Sequence, residues 1–338
     1  MPVRILTGDI GGTKTDLRLY QDDRGDGFRE GDGFREIGSG RFTSAEHAGP
    51  EGMIEQVLGS GAEPPDAIVL GVAGPVQDGR SRTTNLPWEL DERDLSRAFG
   101  TRVALINDFH AAALGVGLLA GDDLEVLNPG HIDPDGPLAV IGAGTGLGEA
   151  IAVPLPGKAA PRVIISEGGH CDFAPRNQTE IELWRFLGQQ HRHVSYERVL
   201  SGPGLAAIYE LLISQGLASE TPETRSALRS GDPAQVIGER ALRRSDPACE
   251  RAVELFVSIY GAEAGNLALK CLPTGGLFVA GGMAPKLIEL IRGNGFLEAF
   301  LDKGRMRHVL ERIRVSVVLA PDVALLGART HALQMLSQ

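Results

Sequence analysis

Short apolar runs, each followed by a glycine-rich turn, dominate the hydrophobic pattern of this 338-residue chain. An apolar run at 3–6 leads into such a turn, and apolar and polar positions alternate over 16–20, which predicts a β-hairpin. The pattern restarts at Leu138, where LAVIGAGTGLGEAIAV is again a strand, a glycine turn and a strand. This internal repeat predicts two related halves, and no linker-like segment separates them, so we expect a hinge at their boundary.

The rest of the pattern mixes strands with helices, which is typical of the α/β class. Apolar runs predict strands at 66–72, 102–106, 276–280 and 315–319. Apolar residues at helical spacing predict helices at 51–58, over most of 179–270 and at 324–336. Asn107 follows one strand directly and is a good N-cap for the Ala-rich helix after it. A tandem GDGFRE hexapeptide at 25–30 and 31–36 predicts a surface hairpin extension, because two copies are too few for a repeat architecture.

Composition narrows the function classes without naming one. Glycine accounts for 45 of the 338 residues, almost twice the usual share of ~7 %. The glycines show no collagen period, so special backbone conformations explain the excess better. The net charge of −11 argues against nucleic-acid or membrane-surface partners, because those binders need a basic face. Three separated cysteines form neither a disulfide framework nor a zinc pattern, and no signal peptide or membrane span is evident, which predicts the cytoplasm.

The first glycine turn has the composition of a phosphate-binding loop. Glycines let the backbone approach an anion closely, and consecutive N–H groups form an anion-binding concavity. The candidate nucleotide-binding residues here are Gly8, Asp9, Ile10, Gly11, Gly12 and Thr13. Asp9 could hold Mg²⁺ through water. The alternative is a tight hairpin turn without a ligand, and the motif is neither a Walker A loop nor a Rossmann fingerprint, because a strand follows it rather than a helix.

Two further glycine segments strengthen this interpretation. The second hairpin turn contributes Gly144, Thr145 and Gly146, and two such loops facing each other could clamp one polyphosphate. Gly281 and Gly282 follow the apolar run GLFVA and lead into a helix, where a base or ribose could lie. One glycine loop alone would be a weak signal, whereas three in one chain point to a nucleotide.

The three glycine segments resemble those of the actin/hexokinase/Hsp70 superfamily of ATP-dependent phosphotransferases. Within it, the chain looks like a bacterial ATP-dependent glucokinase over nearly its whole length. The resemblance rests on GDIGGT (8–13), AGPV (73–76), TNLPW (84–88), NDFHAAALG (107–115), GAGTGLG (142–148), SEGGH (166–170), ERVLSGPG (197–204) and GGLFVAGGMAPK (275–286). It implies a two-lobed actin-like ATPase (ribonuclease H-like) α/β fold, with a cleft between a small domain (1–108 plus 325–338) and a larger one (109–324).

The resemblance also assigns the acceptor chemistry to Asn107 and Asp108. It implies that Asp108 is the general base that takes the proton of the sugar 6-hydroxyl, while Asn107 binds a neighbouring hydroxyl. A carboxylate within hydrogen-bond reach can orient the hydroxyl and accept its proton late in phosphoryl transfer. The alternative is that the two side chains merely cap the helix, which accounts for one of them but not for both.

A second polar set surrounds the SEGGH turn. Two glycines between Glu167 and His170 can aim both side chains at one ligand, and the resemblance adds Glu197 as a second carboxylate that binds the sugar. Without the resemblance, Glu197 would be a favourable charge at a helix start. Two ligands without a third His or Cys make a poor zinc site. Sugar kinases of the repressor/open-reading-frame/kinase type carry a His/Cys zinc cluster in this region, which is absent here, so no structural zinc is expected.

The resemblance thus implies ATP-dependent phosphorylation of glucose to glucose 6-phosphate, the first step of glycolysis. The implied ligands are glucose, ATP and Mg²⁺, with no nucleic acid or membrane partner, and the implied assembly is a homodimer. Two alternatives stay open: a kinase for mannose, fructose or an amino sugar, and a non-catalytic sugar sensor. Glycine loops alone do not fix the phosphoryl donor as ATP rather than ADP or polyphosphate.

Overall fold

The computed structural model describes residues 2–22, 33–59, 61–83, 86–158 and 160–337. The strands in this part are β1 (Arg4–Ile10), β2 (Lys14–Asp22), β3 (Phe34–Thr43), β4 (Ala67–Val72), β5 (Val76–Gln77), β6 (Arg80–Arg82), β7 (Glu89–Asp91), β8 (Arg102–Asn107), β9 (Leu124–Asn128), β10 (Leu138–Ala143), β11 (Leu147–Val153), β12 (Arg162–Ser166), β13 (Gly276–Ala280) and β14 (Val315–Val318). The helices are α1 (Glu51–Leu58), α2 (Glu92–Phe99), α3 (Asp108–Gly115), α4 (Gln178–Gly188), α5 (Gly202–Ser214), α6 (Pro222–Leu228), α7 (Pro233–Leu242), α8 (Pro247–Cys271), α9 (Ile288–Ile291), α10 (Asn294–Leu301), α11 (Arg307–Leu310) and α12 (Val323–Leu336).

The chain forms two compact units. The first comprises Met1–Gly121, Pro154–Ile165 and Ala320–Gln338, and the second comprises Asp122–Val153 and Ser166–Leu319. The sequence-based division instead starts the larger domain at residue 109. The difference at α3 has a packing reason, because this helix shares a buried core with α12 and with the strands of the first unit. The division into 1–108 plus 325–338 and 109–324 stays a prediction.

The first unit is built on a five-stranded sheet in the order β3-β2-β1-β4-β8. Strands β1 and β2 form the predicted antiparallel hairpin, and β4 and β8 extend the sheet in parallel. Strand β3 pairs with β2 up to the register Asp22↔Phe34. Residues 23–32, which hold most of the GDGFRE tandem, lie outside the described residues, whereas Phe34–Glu36 of its second copy begin β3. A small sheet, β5-β6-β7, accompanies the larger one.

Alternation along β1 divides the core of the first unit into two layers, because successive side chains of a strand point to opposite faces. Leu6 packs in one layer with residues of α1 and α2, such as Met53 and Leu95. Ile5 packs in the other layer, where small residues of α3 and α12 meet the sheet. This second layer fixes α3 at the carboxyl end of β8.

The second unit repeats the sheet plan of the first. Its antiparallel hairpin β10-β11 is again extended by two parallel strands, β13 and β14, within a six-stranded sheet of the order β12-β11-β10-β13-β14-β9. Strand β9 adds an antiparallel edge. The chain passes from the first unit to the second after Gly121 and again after Ile165, and the later of these points lies within β12. The repeat predicted from the two glycine hairpins is therefore present in the topology of the sheets.

Helix α8, 25 residues long, is the centre of the core of the second unit. Its fully buried Phe256 and Tyr260 pack edge to face, and Tyr260 makes the same contact with Phe296 of α10. Such aromatic pairs add roughly 1 kcal/mol beyond the area they bury. Among the helices of the described residues, none is both long enough and apolar enough to cross a membrane.

Candidate active site

The first glycine turn is closed within itself and braced by a residue distant in sequence. Gly11 N donates to Lys14 O at 2.9 Å, which closes the turn between β1 and β2. Ser44, just after β3, donates from its hydroxyl to Gly11 O at 2.9 Å and from its backbone N to Thr13 O at 3.0 Å. The sequence pattern does not indicate a role for Ser44, because nothing local connects it with a turn thirty residues earlier.

The predicted nucleotide-binding residues of this motif fall into two groups. Gly11, Gly12 and Thr13 form the turn itself, whereas Gly8, Asp9 and Ile10 belong to β1. Gly8 lies inside the sheet, where an added Cβ would approach Leu17 and Leu70 to 2.7 Å. The side chain of Ile10 is fully buried in the core. Gly11, Gly12 and Thr13 therefore form the turn, while the buried Gly8 and Ile10 fix its position at the end of β1.

Asp9 has the electrostatic character of a cation ligand. Burial, and secondarily the charge of its cross-strand neighbour Asp16, raise the pKa of Asp9 to about 6. Asp16 itself accepts hydrogen bonds from Arg41 at 2.6 and 3.0 Å. A half-buried carboxylate of this kind fits Mg²⁺, which favours one or two carboxylates together with water and phosphate oxygens. The described residues contain no cluster of three or more His, Cys, Asp or Glu able to hold a metal by themselves.

Glu197, one of the residues predicted to bind the sugar, stabilises the second glycine turn. Gly144 N donates to Gly146 O at 2.8 Å within the turn, and Leu147 N donates to Glu197 Oε2 at 3.1 Å. Gly202, at the start of α5, donates from its N to Gly144 O at 2.9 Å. The ERVLSGPG motif therefore meets the GAGTGLG motif in space, which accounts for two of the segments that carried the resemblance.

The third glycine segment lies beside the second turn. Gly281 has φ +79°, a conformation that side-chain-bearing residues avoid, and an added Cβ would stand 2.5 Å from Ala143 O. Met283 N donates to the same carbonyl at 3.2 Å. A Cβ added to Gly282 would have no atom of the described residues within 4 Å. The second unit thus brings 144–146 and 281–282 together, as a nucleotide site requires.

Asn107 and Asp108 both act at the N-terminus of α3. Asn107 Oδ1 accepts from Phe109 N at 2.9 Å and from His110 N at 3.1 Å, so Asn107 is the N-cap. Its Nδ2 donates to Gly74 O at 3.1 Å, which links it to the AGPV motif and uses one of the two amide hydrogens. Asp108 Oδ1 also accepts from Phe109 N, at 2.9 Å. Both side chains thus accept backbone N–H groups at the start of α3, although capping was expected to account for only one of them, and their roles in binding the sugar stay predictions.

The SEGGH turn brings three predicted sugar-binding residues together in the second unit. His170 Nε2 lies 3.9 Å from Glu167 Oε2, and His170 Nδ1 lies 3.8 Å from Glu197 Oε1. The side chains of Glu167 and His170 are 73 % and 58 % exposed, while that of Glu197 is 30 % exposed. A pair of carboxylates on either side of an imidazole supplies several acceptors and one switchable donor, which suits a ligand rich in hydroxyl groups.

Comparison with known proteins identifies the family. A sequence model described as Glucokinase matches residues 6–335. The curated glucokinase of Nostoc punctiforme is 40 % identical over 346 residues, covering 98 % of this chain and 99 % of the relative. The chain belongs to the Glucokinase family. This confirms the predicted family and enzyme class.

Solved structures confirm the fold class, an α/β actin-like ATPase fold. The crystal structure of a glucokinase from an Antarctic psychrotroph is 29 % identical, with a TM-score of 0.80 and 99 % of both chains covered. A ROK family glucokinase from Streptomyces griseus, solved in complex with glucose and AMPPNP, is similar in fold, with a TM-score of 0.67 at 22 % identity and 98 % and 99 % of the two chains covered.

Proposed function

We propose that this chain transfers the γ-phosphoryl group of ATP to the 6-hydroxyl of glucose, giving glucose 6-phosphate and ADP. The observation that carries the proposal is Asp108, a carboxylate fixed at the start of α3 by the backbone N–H of Phe109 and preceded by the N-cap Asn107. A base fixed in this way needs no reorganisation before it accepts a proton. Membership of the Glucokinase family supports the choice of substrate and donor.

In the proposed reaction Asp108 accepts the proton of the sugar 6-hydroxyl as that oxygen forms its bond to the γ-phosphorus. The bond between the γ-phosphorus and the bridging oxygen breaks, and its electron pair leaves with ADP. The second Nδ2 hydrogen of Asn107 is suited to a neighbouring hydroxyl. Glu167 and Glu197 would accept hydrogen bonds from other hydroxyls, and His170 would donate or accept one.

The nucleotide would be held mainly by backbone groups of the glycine turns. Residues 8–13 and 144–146 supply candidate contacts to the phosphates, and 281–282 to the nucleoside. Asp9 would hold Mg²⁺ through water, and the bound ion would neutralise charge on the phosphates. We also propose that the enzyme needs no structural zinc, works in the cytoplasm as a homodimer and has no nucleic-acid or membrane partner.

Replacing Asp108 tests the catalytic assignment. We expect Asp108→Ala to lower kcat for glucose by about 10²–10⁴-fold while leaving the thermal unfolding temperature nearly unchanged, because general-base catalysis contributes an effect of that size. A coupled ADP-release assay measures the rate. Asp94→Ala is the matched control, since Asp94 is an exposed acid near the start of α2, and it should retain wild-type activity. Near-normal turnover by Asp108→Ala would show that another group accepts the proton.

A panel of hexoses assayed with ATP, ADP and polyphosphate decides between the remaining alternatives. We expect glucose with ATP to give the highest kcat/KM, because the family relatives are glucokinases. A higher value for mannose, fructose or an amino sugar would reassign the substrate. Absence of phosphoryl transfer to every hexose, together with measurable sugar binding, would indicate a sensor.

A further inference from the structure

A buried carboxyl group lies directly beneath the SEGGH turn and has no role in the proposed reaction. Glu149 stands on β11, only 2 % exposed, on the same face of the strand as Leu147. Its Oε1 is completely buried and has no hydrogen-bond partner among the described residues. An ionised carboxylate in such a place is costly, because neither water nor a donor compensates for its charge.

The turn rests on Glu149 and Leu147 without space between them. A Cβ added to Gly168 would overlap Glu149 Oε2, and one added to Gly169 would overlap Leu147 O. Glu197, the third residue of the sugar-binding set, is tied to the same turn, since its backbone N donates to Gly169 O at 2.8 Å. A displacement of the Glu149 side chain would therefore move the backbone that carries the sugar-binding residues.

The charges around Glu149 favour its neutral form. Helix α8 brings into electrostatic contact with it the titratable groups of Tyr260, Glu263, Lys270 and Cys271. The turn itself carries Glu167 and His170, whose side chains are exposed. Most of these groups are neutral or negative, so they do not compensate for a negative charge on Glu149 beside that of Glu263.

The one cation in this set is engaged by the other buried carboxylate. Lys270 Nζ lies 3.6 Å from Glu263 Oε1, and Asn266 Nδ2 donates to Glu263 Oε2 at 2.7 Å. Burial, and secondarily the charge of Glu263, raise the pKa of Glu149 to about 7, with Lys270 acting in the opposite direction. Glu149 therefore changes its charge within the pH range in which a cytoplasmic enzyme works.

We propose that Glu149 is a positioning residue for sugar binding: its protonated carboxyl supports Gly168 and the SEGGH turn, and loss of the proton displaces the turn and weakens the binding of glucose. The inference rests on the proposed function, because it concerns the same sugar-binding residues. KM for glucose should therefore depend on pH, although Glu149 itself does not contact the substrate.

The test compares KM and kcat for glucose across about pH 5.5–8.5 in the wild type and in three variants. In the wild type we expect KM to rise at least about threefold around neutral pH while kcat changes less. Glu149→Gln, a neutral stand-in for the protonated acid, should keep the low KM at every pH. Glu263→Gln should shift the rise in KM to lower pH. It removes a neighbouring negative charge, so Glu149 loses its proton at a lower pH. Glu254→Gln, an exposed residue of the same helix, should follow the wild type.

Calorimetric titration with glucose alone measures the same effect without turnover. Glucose Kd should follow KM in each protein. The inference is overturned if Glu149→Gln keeps the pH dependence of the wild type, or if its KM is raised at every pH, which would indicate a purely structural role. It is likewise overturned if the wild type phosphorylates glucose with a pH-independent KM. A wild type that neither binds nor phosphorylates glucose would instead refute the proposed function.

Discussion

Asn107 and Asp108 illustrate, at the scale of single residues, which part of the proposed site a local pattern can predict. The sequence placed both at the end of a strand and the start of a helix, which is enough to predict an N-cap. The contact of Asn107 with Gly74 O could not be predicted, because 33 residues separate the two and their meeting depends on the pairing of β4 with β8. That contact fixes the amide group, so the remaining donor hydrogen has a defined direction.

His110, two residues after Asp108, couples the same helix to pH. It packs edge to face against His331 of α12, at 5.5 Å between ring centroids. Burial, and secondarily His331, lower the pKa of His110 to about 4, and burial also lowers the pKa of His331. The folded chain therefore binds the proton less readily than the unfolded chain, and the stability that depends on a neutral His110 is lost as pH falls from about 6.5 to about 4.

Substitution of His110 tests this pH dependence. In His110→Gln we expect the loss of unfolding free energy between pH 6.5 and pH 4 to be smaller than in the wild type, by at most about 3 kcal/mol. Urea denaturation at a series of pH values measures the difference. His131→Gln is the control, because His131 is exposed and should leave the pH dependence unchanged. Parallel stability curves for the wild type and His110→Gln would contradict a buried, neutral His110.

At the scale of elements, the close packing of α3 on α12 sets the position of the proposed base. The two helices approach so closely that a Cβ on Gly327 would overlap Ala111 O, and one on Gly115 would overlap Val323 O. These overlaps involve backbone atoms, which cannot move aside as a flexible side chain can. The position of Asp108 at the start of α3 therefore depends on small residues at the end of the chain.

Gly327→Ala tests the role of this helix pair. Alanine normally stabilises a helix relative to glycine by about 1 kcal/mol, but here we expect destabilisation by about 1–3 kcal/mol, because the helices must separate. We also expect kcat for glucose to fall, since α3 carries Asp108. Chemical denaturation and steady-state kinetics measure the two effects. Gly117→Ala, next to α3 in open space, should show neither, and a stabilised Gly327→Ala protein would refute the packing argument.

At the scale of the whole molecule, the net charge of −11 has to be reconciled with a polyanionic nucleotide. Backbone N–H groups of glycine turns, together with Mg²⁺, can meet phosphates without many basic side chains. The two sheets repeat one strand order, and each places a hairpin turn with glycines next to a parallel strand. Part of the excess of glycine thus belongs to a duplicated architecture, which composition alone could not reveal.

Ligand binding should stabilise the molecule as a whole by mass action. At about 100 times Kd, glucose should add about 2.7 kcal/mol to the unfolding free energy, which for a chain of this size corresponds to a rise in Tm of about 4 °C. Differential scanning calorimetry measures the shift. L-glucose, with the same composition and the opposite handedness, should leave Tm unchanged. An equal shift with both sugars would indicate a non-specific effect of the solute instead of a binding site.

The sequence by itself determined the features that depend on neighbours along the chain: the two glycine hairpins, the strand–helix junction at Asn107 and the turn between Glu167 and His170. It missed β3, β9 and β12, because these strands lie at sheet edges, where half-exposed residues leave little hydrophobic pattern. Only the tertiary structure placed Ser44 against the first turn, Glu197 against the second and Glu149 beneath Gly168. These contacts join residues far apart in the chain, and they follow from strand order and register, which local periodicity does not encode.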